Sequence, residues 1–447
     1  MLQPFTREPD YLTKLEDGTV KQLNPFSGTE VWTVAGRGNR PMGIQRPDPM
    51  PLDPAQHGRH CPFCEHRYLD TPPEKSRVVR HEDGHRETIY RTMAEDLFAT
   101  TAEFRRVPNL FEILSYPYWH LNYGYELPTR VAERKAAYLG SVAGRQHVLG
   151  VARNKLKAGG KSDAEVDAMT EAEIVAFASG FFGGGHDVIT ARRHFVDGAT
   201  DNTQLAASGT MTPDEHAAFV SFTVESIQAL FDLNRYARYV VVFQNWLKPA
   251  GASFDHLHKQ LVAIDERGVQ AERAIARLRA NPNVFNDDAV NYASYKNLIL
   301  AENDHAIAFA GFGHRYPSVE IYSKSENPDP WEQTPEELRG VSDMIHAMHA
   351  ATGVDVPSNE EWHYRPLDVD LAMPWRIILK WRISTVAGFE GATKIYLNTM
   401  DPYAIRDRLV PRLFALRDEG KIARGLQLAT ECPCRPNSLR YHRGRSW

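Results

Sequence analysis

Cysteine is scarce in this sequence, with four in 447 residues, and they fall in two close pairs, Cys61/Cys64 and Cys432/Cys434. So few cysteines exclude a disulfide-stapled scaffold. Close pairs in a long chain point to metal or redox chemistry instead. Long apolar runs are also missing, and no stretch reaches transmembrane length. The opening residues, MLQPFTREPDYLTK, lack the basic region and apolar core of a secretory signal. Cytoplasm is therefore the expected compartment, and no membrane partner is expected. An excess of basic charge is absent too. Formal net charge is -5 with both signs well mixed, which leaves no general nucleic-acid face. A locally positive pocket for a small anion remains compatible with this balance.

What is present is length and a globular composition, 42% hydrophobic and 24% charged. That suits two or three packed units. Residues 1–60 are rich in proline and glycine, with a strand at 30–35 and a basic loop carrying Arg37 and Arg40. TEAEIVAFASGFFGG (170–184) reads as a helix stopped by glycines. HDVITARRHF (186–195) reads as a strand. The helix beginning near Thr212 has a hydroxyl cap, Pro213 in its first turn and Glu215 three residues after the cap. RYVVVFQNW (238–246) reads as a buried strand, and KQLVAI (259–264) as its successor. From about 271 the pattern begins again. A helix near 271–280 is followed by strands at 306–312 and 318–323 and by a capped helix at 334–352. Strands at 375–383 and 394–399 and a helix at 401–420 complete it. The tail from 426 is basic and expected to be loosely held. Repetition of strand–helix–strand order suggests a duplicated α+β unit with antiparallel sheets.

Three constellations carry chemistry. In His256-Leu257-His258-Lys259-Gln260, an extended backbone would place His256, His258 and Gln260 on one face, with Leu257 and Lys259 on the other. A neutral imidazole can attack phosphorus, and a glutamine amide can donate to a phosphate oxygen. The small-residue stretch AGAS just before it lets backbone amides approach a ligand. Two satisfied histidines at a strand edge are the plain alternative. In Cys61-Pro62-Phe63-Cys64 the spacing suits two thiolates on one zinc ion. His57, His60, His66, His194 and His256 are all possible completing ligands, and metal is favoured over a redox pair because no strand–helix context surrounds the motif. Arg37, Arg40, Arg105, Arg106 and Lys248 are candidate anion ligands. Asn24, Asn245 and Ser253 are candidate polar ones.

Taken in order, LNPFSGTEVWTVAGRGNRP, CPFC, FRRVPNLFEIL, GHDVITARRHF, QNWLKPAGASFDHLHKQ and AGFEGATKIYLNTMDP resemble segments of the galactose-1-phosphate uridylyltransferase family. That family lies within the histidine-triad superfamily, and the resemblance spans roughly residues 20–415. It implies an α+β fold of duplicated histidine-triad-like domains with antiparallel sheets and packed helices. The expected domains are residues 1–270, with an insertion near 126–180, then 271–425 and a basic tail at 426–447. By position, His258 is implied as the nucleophile that becomes a nucleotidyl-histidine, with Gln260 steadying the phosphoryl oxygens. Arg37, Arg40, Asn109, Asn245 and Ser253 are implied on the substrate, and Cys61, Cys64, His194 and His256 on a structural zinc ion. The implied function is nucleotidyl transfer from a nucleoside diphosphate sugar to a sugar phosphate. A dinucleoside polyphosphate phosphorylase or adenylyltransferase and a non-catalytic nucleotide-binding relative are the alternatives. The implied assembly is a homodimer.

The chain departs from the family pattern in places. Leucine stands at 257 where the family has proline. The stretch MPWRIILKWRI lacks the histidine pair that the second domain carries in transferases, which argues against a second metal site. His363 is the residue that matches an upstream histidine of that domain.

Overall fold

Short strands and helices, the longest of them closed by capping boxes at their amino ends, build the fold. The computed structural model describes residues 10–36, 44 and 47–442. Its strands are β1 (Leu12–Lys14), β2 (Val20–Leu23), β3 (Glu30–Thr33), β4 (Ser76–Arg80), β5 (Arg86–Tyr90), β6 (Ala102–Pro108), β7 (His186–Ala191) and β8 (Tyr239–Trp246). They continue with β9 (His258–Ile264), β10 (Ile299–Glu302), β11 (Ala306–Ala310), β12 (Ser318–Ser323), β13 (Ser358–His363), β14 (Arg376–Trp381), β15 (Ile395–Leu397) and β16 (Gln427–Leu428). Twelve of them form one sheet in the order β16-β10-β11-β12-β14-β13-β8-β9-β7-β6-β4-β5. Every neighbouring pair in it is antiparallel. The other four make a small sheet in which β15 runs parallel to β3.

The large sheet has a seam at its centre, where β8 pairs with β13. Outward from it run β8, β9, β7, β6 and β4 on one side, and β13, β14, β12, β11 and β10 on the other. Both sides place a long helix before their last two strands. Pro213–Leu233 precedes β8, and Pro335–Thr352 precedes β13. Each helix opens with a threonine–glutamate capping box, Thr212 with Glu215 and Thr334 with Glu337, which satisfies two otherwise orphaned backbone donors. The helices lie together on one face of the sheet, where the His216 ring meets Ser342 Oγ at 2.7 Å. Phe219, Ile227, Leu230, Met344, Ile345 and Met348 are buried in an apolar core continuous across both sides. This is a mixed α+β fold with antiparallel sheets and packed helices.

Several segments differ from the sequence expectations, each for a local reason. The strand from His186 stops at Ala191 rather than Phe195, because Arg192 and Arg193 turn out to pair with Glu65, Asp197 and Glu215. Residues 170–184 form two short helices, Glu171–Ala176 and Ser179–Gly183, in place of one. They belong to a helical stretch with its own small core of Tyr138, Val148, Ala152, Ile174 and Phe181. The strand expected at 394–399 leaves the main sheet to pair with β3. The described residues of the tail are held rather than loose: β16 pairs with β10, and Leu439 and Tyr441 are fully buried.

The turn at Ser208–Thr210 touches the helix Pro335–Thr352 so closely that a Cβ at Gly209 would lie 2.6 Å from the Ala350 nitrogen. Gly209→Ala should lower the unfolding free energy by about 1–3 kcal/mol, read as a reduced denaturant midpoint at unchanged slope.

Candidate functional site

Four potential metal ligands from three separate segments converge at the end of the β7–β9 pair. The Cys61–Cys64 knuckle, His194 beyond β7 and His256 just before β9 bring their ligand atoms within 4.8 Å of one another. Cys61 Sγ lies 3.8 Å from Cys64 Sγ and 3.4 Å from His256 Nδ1. Cys64 Sγ lies 3.6 Å from His194 Nδ1 and 3.7 Å from His256 Nδ1. A tetrahedral site with bonds of about 2.3 Å to sulfur and about 2.0 Å to nitrogen has edges of about 3.8 Å and about 3.6 Å, so the donor set fits. His256 Nε2 donates to the Ala191 carbonyl at 2.6 Å, leaving Nδ1 bare toward the cysteines. Contact with Cys61 also draws the Cys64 thiol below its ordinary pKa. Of the other ligands the sequence allowed, His57 and His66 are exposed, and the His60 ring stands 5.5 Å from that of His194. None of them joins the cluster.

His258 is the first residue of β9. Its Nδ1 donates to the His256 carbonyl at 2.7 Å, so the hydrogen sits on Nδ1 and Nε2 keeps its lone pair. The side chain is buried, which pushes its pKa down to about 4 and keeps the ring neutral. The Phe63 ring, carried by the cysteine knuckle, lies 5.3 Å from the His258 ring. His256 itself lies outside the strand and turns toward the cysteines, so the expected single face holds only His258 and Gln260.

Two amides flank His258. Gln260 lies two residues on, on the same face. Its Oε1 accepts from Asn109 Nδ2 at 3.3 Å and from His186 Nε2 at 3.0 Å. The roles are fixed locally. Ile113 N–H donates to His186 Nδ1 at 3.2 Å, leaving the hydrogen on Nε2, and Phe111 N–H donates to Asn109 Oδ1 at 2.9 Å. With its oxygen occupied, Gln260 has its NH2 left to donate. On the other side, the β8–β9 register ends with Phe243 opposite Gln260, and Asn245 lies two residues further along β8 on the same face. Asn245 Oδ1 accepts from Asn359 Nδ2 at 2.7 Å, which again leaves an NH2 to donate. The loop between β8 and His256 takes two left-handed turns, strained at Leu247 and relieved by glycine at 251. Leu247 has a φ of 65° and Gly251 a φ of 90°, conformations that a side chain disfavours.

The remaining candidates divide cleanly. Ser253 is exposed on that loop, and Lys248 is exposed at its start. Arg37 and Arg40 lie outside the described residues. Arg105 is buried and donates to Glu74 at 2.7 Å, and Arg106 donates to Asp187 at 2.7 Å, so neither guanidinium is a free fork. Asn24 holds a turn and donates to the Phe312 carbonyl. His363 pairs with Glu361 at 3.6 Å in the second half. Sequence reasoning missed His186 and Asn359. The signal for His186 was a pair of polar residues, His186 and Asp187, opening a strand. For Asn359 it was the run of polar residues SNEE in a strand central to the sheet.

A family model described as "Domain of unknown function (DUF4921)" matches residues 15–441. In sequence, the chain is 26% identical over 175 residues to an ADP-glucose phosphorylase of Arabidopsis thaliana, covering 37% of this chain and 49% of that protein. The chain thus spans about half the length of that curated relative. Among solved structures it is similar to a GalT-like protein of Arabidopsis thaliana, at 17% identity and a TM-score of 0.54, over 88% of this chain and 98% of that one. It is similar also to an ADP-glucose phosphorylase of Arabidopsis thaliana with bound ADP-glucose, at 16% identity and a TM-score of 0.55, with the same coverage. At these identities the structures establish a shared GalT-like fold.

The ligand cluster should hold one metal equivalent per chain, measured by elemental analysis of dialysed protein, and Cys64→Ser should lose it. A second expectation concerns Glu112, between Asn109 and Ile113. Its Oε1 is buried without a partner, and burial pushes its pKa up to about 7. The folded protein then keeps a proton that the unfolded chain releases near 4.5. Stability should fall as pH rises from about 4.5 to about 7, by about 3 kcal/mol. In Glu112→Gln, denaturant titrations at pH 5 and pH 7.5 should show that loss removed.

Proposed function

The chain belongs to the DUF4921 family, and we propose that it is a nucleotidyltransferase working through a covalent nucleotidyl-histidine at His258. The observation that carries this reading is the pair of amides beside a histidine whose tautomer is set by its own backbone. Nδ1 is tied to the His256 carbonyl, so Nε2 is the nucleophile. Gln260 and Asn245 have their oxygens engaged, so both present N–H donors where phosphoryl oxygens gain charge. Preorganised donors of this kind are the chief protein contribution to such a transition state.

In the proposed cycle, His258 Nε2 attacks the α-phosphorus of a nucleoside diphosphate sugar. The bond from that phosphorus to the bridging oxygen breaks, and the sugar 1-phosphate departs. A phosphate oxygen of the acceptor then attacks the same phosphorus, the phosphorus–nitrogen bond breaks, and His258 regains its neutral form. The acceptor is inorganic phosphate or a sugar phosphate. Partial likeness to an ADP-glucose phosphorylase favours an adenine nucleotide sugar as donor and inorganic phosphate as acceptor, over the uridylyl donor suggested by the sequence motifs. The cluster of Cys61, Cys64, His194 and His256 suits a structural zinc ion, with all four positions of a tetrahedron filled by protein. Its contribution is to fix His256, and through the His256 carbonyl the ring of His258. The matching strand orders on the two sides of the seam support two related histidine-triad-like units. Assembly as a homodimer, with Arg37 and Arg40 serving a neighbouring site, belongs to the same proposal.

With ADP-glucose and phosphate, His258→Asn should abolish turnover while retaining the metal and the melting temperature. Gln260→Ala should lower kcat by about 10²–10³-fold. Tight nucleotide binding with no turnover, unchanged in His258→Asn, would favour a non-catalytic binding protein. Steady-state assays and calorimetry on the same preparations separate the two outcomes.

A further inference from the structure

The residue next to the nucleophile points into the opposite face of the sheet. Lys259 is wholly buried, yet its Nζ donates to Glu360 Oε1 at 2.5 Å and to Gln244 Oε1 at 3.2 Å. Lys259, Gln244 and Glu360 belong to β9, β8 and β13, three adjacent strands. Gln244 is in register with Glu360. The ion pair therefore reaches over β8 and crosses the seam. Glu360 is held further by Trp362 Nε1 at 2.5 Å and by His349 Nε2 at 2.6 Å. The lysine ammonium also lies 4.9 Å from the centroid of Phe219 and 5.7 Å from that of Trp362. One residue away on the other face, the Asn359–Asn245 hydrogen bond crosses the same seam. Asn359 is itself braced by Arg382 Nη1 at 2.8 Å.

A buried pair of this sort is a poor source of net stability, since well-packed apolar replacements often do as well. What it does supply is a fixed distance between two strands that are not neighbours. We propose that Lys259 is a positioning residue. Its ion pair with Glu360 sets where β9 lies relative to the second half of the sheet, and so where His258 Nε2 stands on the line of attack. This rests on the reading of His258 as nucleophile. It gives the second half a part in the reaction without requiring it to touch the reacting atoms. Misplacement by about 1 Å is enough to cost about 10²-fold in rate.

The test compares Lys259→Met, Glu360→Gln and the double variant in the metal-loaded full chain. Each single change leaves one buried group without its partner and should lower the melting temperature. The double variant removes both charges and should recover most of it, so it carries the test if the singles fail to fold. Single-turnover formation of nucleotidyl-His258 from ADP-glucose should remain about 10²-fold slower in the double variant. The half-saturating donor concentration should stay within about twofold of native. A rate that returns to native together with the melting temperature would overturn the proposal. If native protein forms no adduct, the nucleotidyltransferase reading fails and the positioning claim is read from the ¹⁵N resonances of the His258 imidazole. Displacement of these in the folded double variant supports it, and unchanged resonances overturn it.

Discussion

The site depends on one short hydrogen bond, from Nδ1 of His258 to the carbonyl of His256 two residues earlier. It decides which ring nitrogen carries the hydrogen and which keeps its lone pair. The bond is only as rigid as the carbonyl that accepts it. His256 is held at both ends of its ring, by the Ala191 carbonyl on Nε2 and by the two cysteines around Nδ1. The cluster of Cys61, Cys64, His194 and His256 thereby bears on the His258 ring through a short stretch of backbone.

The same logic extends across the sheet. Gln260 and Asn245 have no fixed orientation of their own, because an amide can turn either end to a ligand. Asn109, His186 and Asn359 fix it by occupying the oxygens. These partners come from the loop after β6, from β7 and from β13, so the two amides near His258 are oriented by residues on both sides of the seam. A continuous twelve-stranded sheet meets that need in a way that two loosely joined halves would not.

Much of this was legible in the sequence. The long helices followed from Thr212/Glu215 and Thr334/Glu337. The ligand set of Cys61, Cys64, His194 and His256 followed from family resemblance and is brought together in space. What was hidden depended on contacts between distant segments. Nothing in GGGHDV says that His186 will brace Gln260, or that the HDVITARRHF strand will end at Ala191 so that His194 can swing to the cysteines. Lys259 looked idle because its face of β9 points away from the site, and only the packing of β13 against β8 shows its partner. Arg105 and Arg106 looked like anion ligands because sequence reveals a guanidinium but not the Glu74 and Asp187 that occupy it.

The most direct measurement is to incubate the metal-loaded protein with ADP-glucose, without acceptor, and map the product by intact mass and peptide sequencing under alkaline conditions, where a phosphoramidate survives. The expected result is one nucleoside monophosphate per chain on His258, absent from His258→Asn and discharged by added phosphate. Turnover of the donor with no adduct on His258, or with the adduct on another residue, would contradict the mechanism.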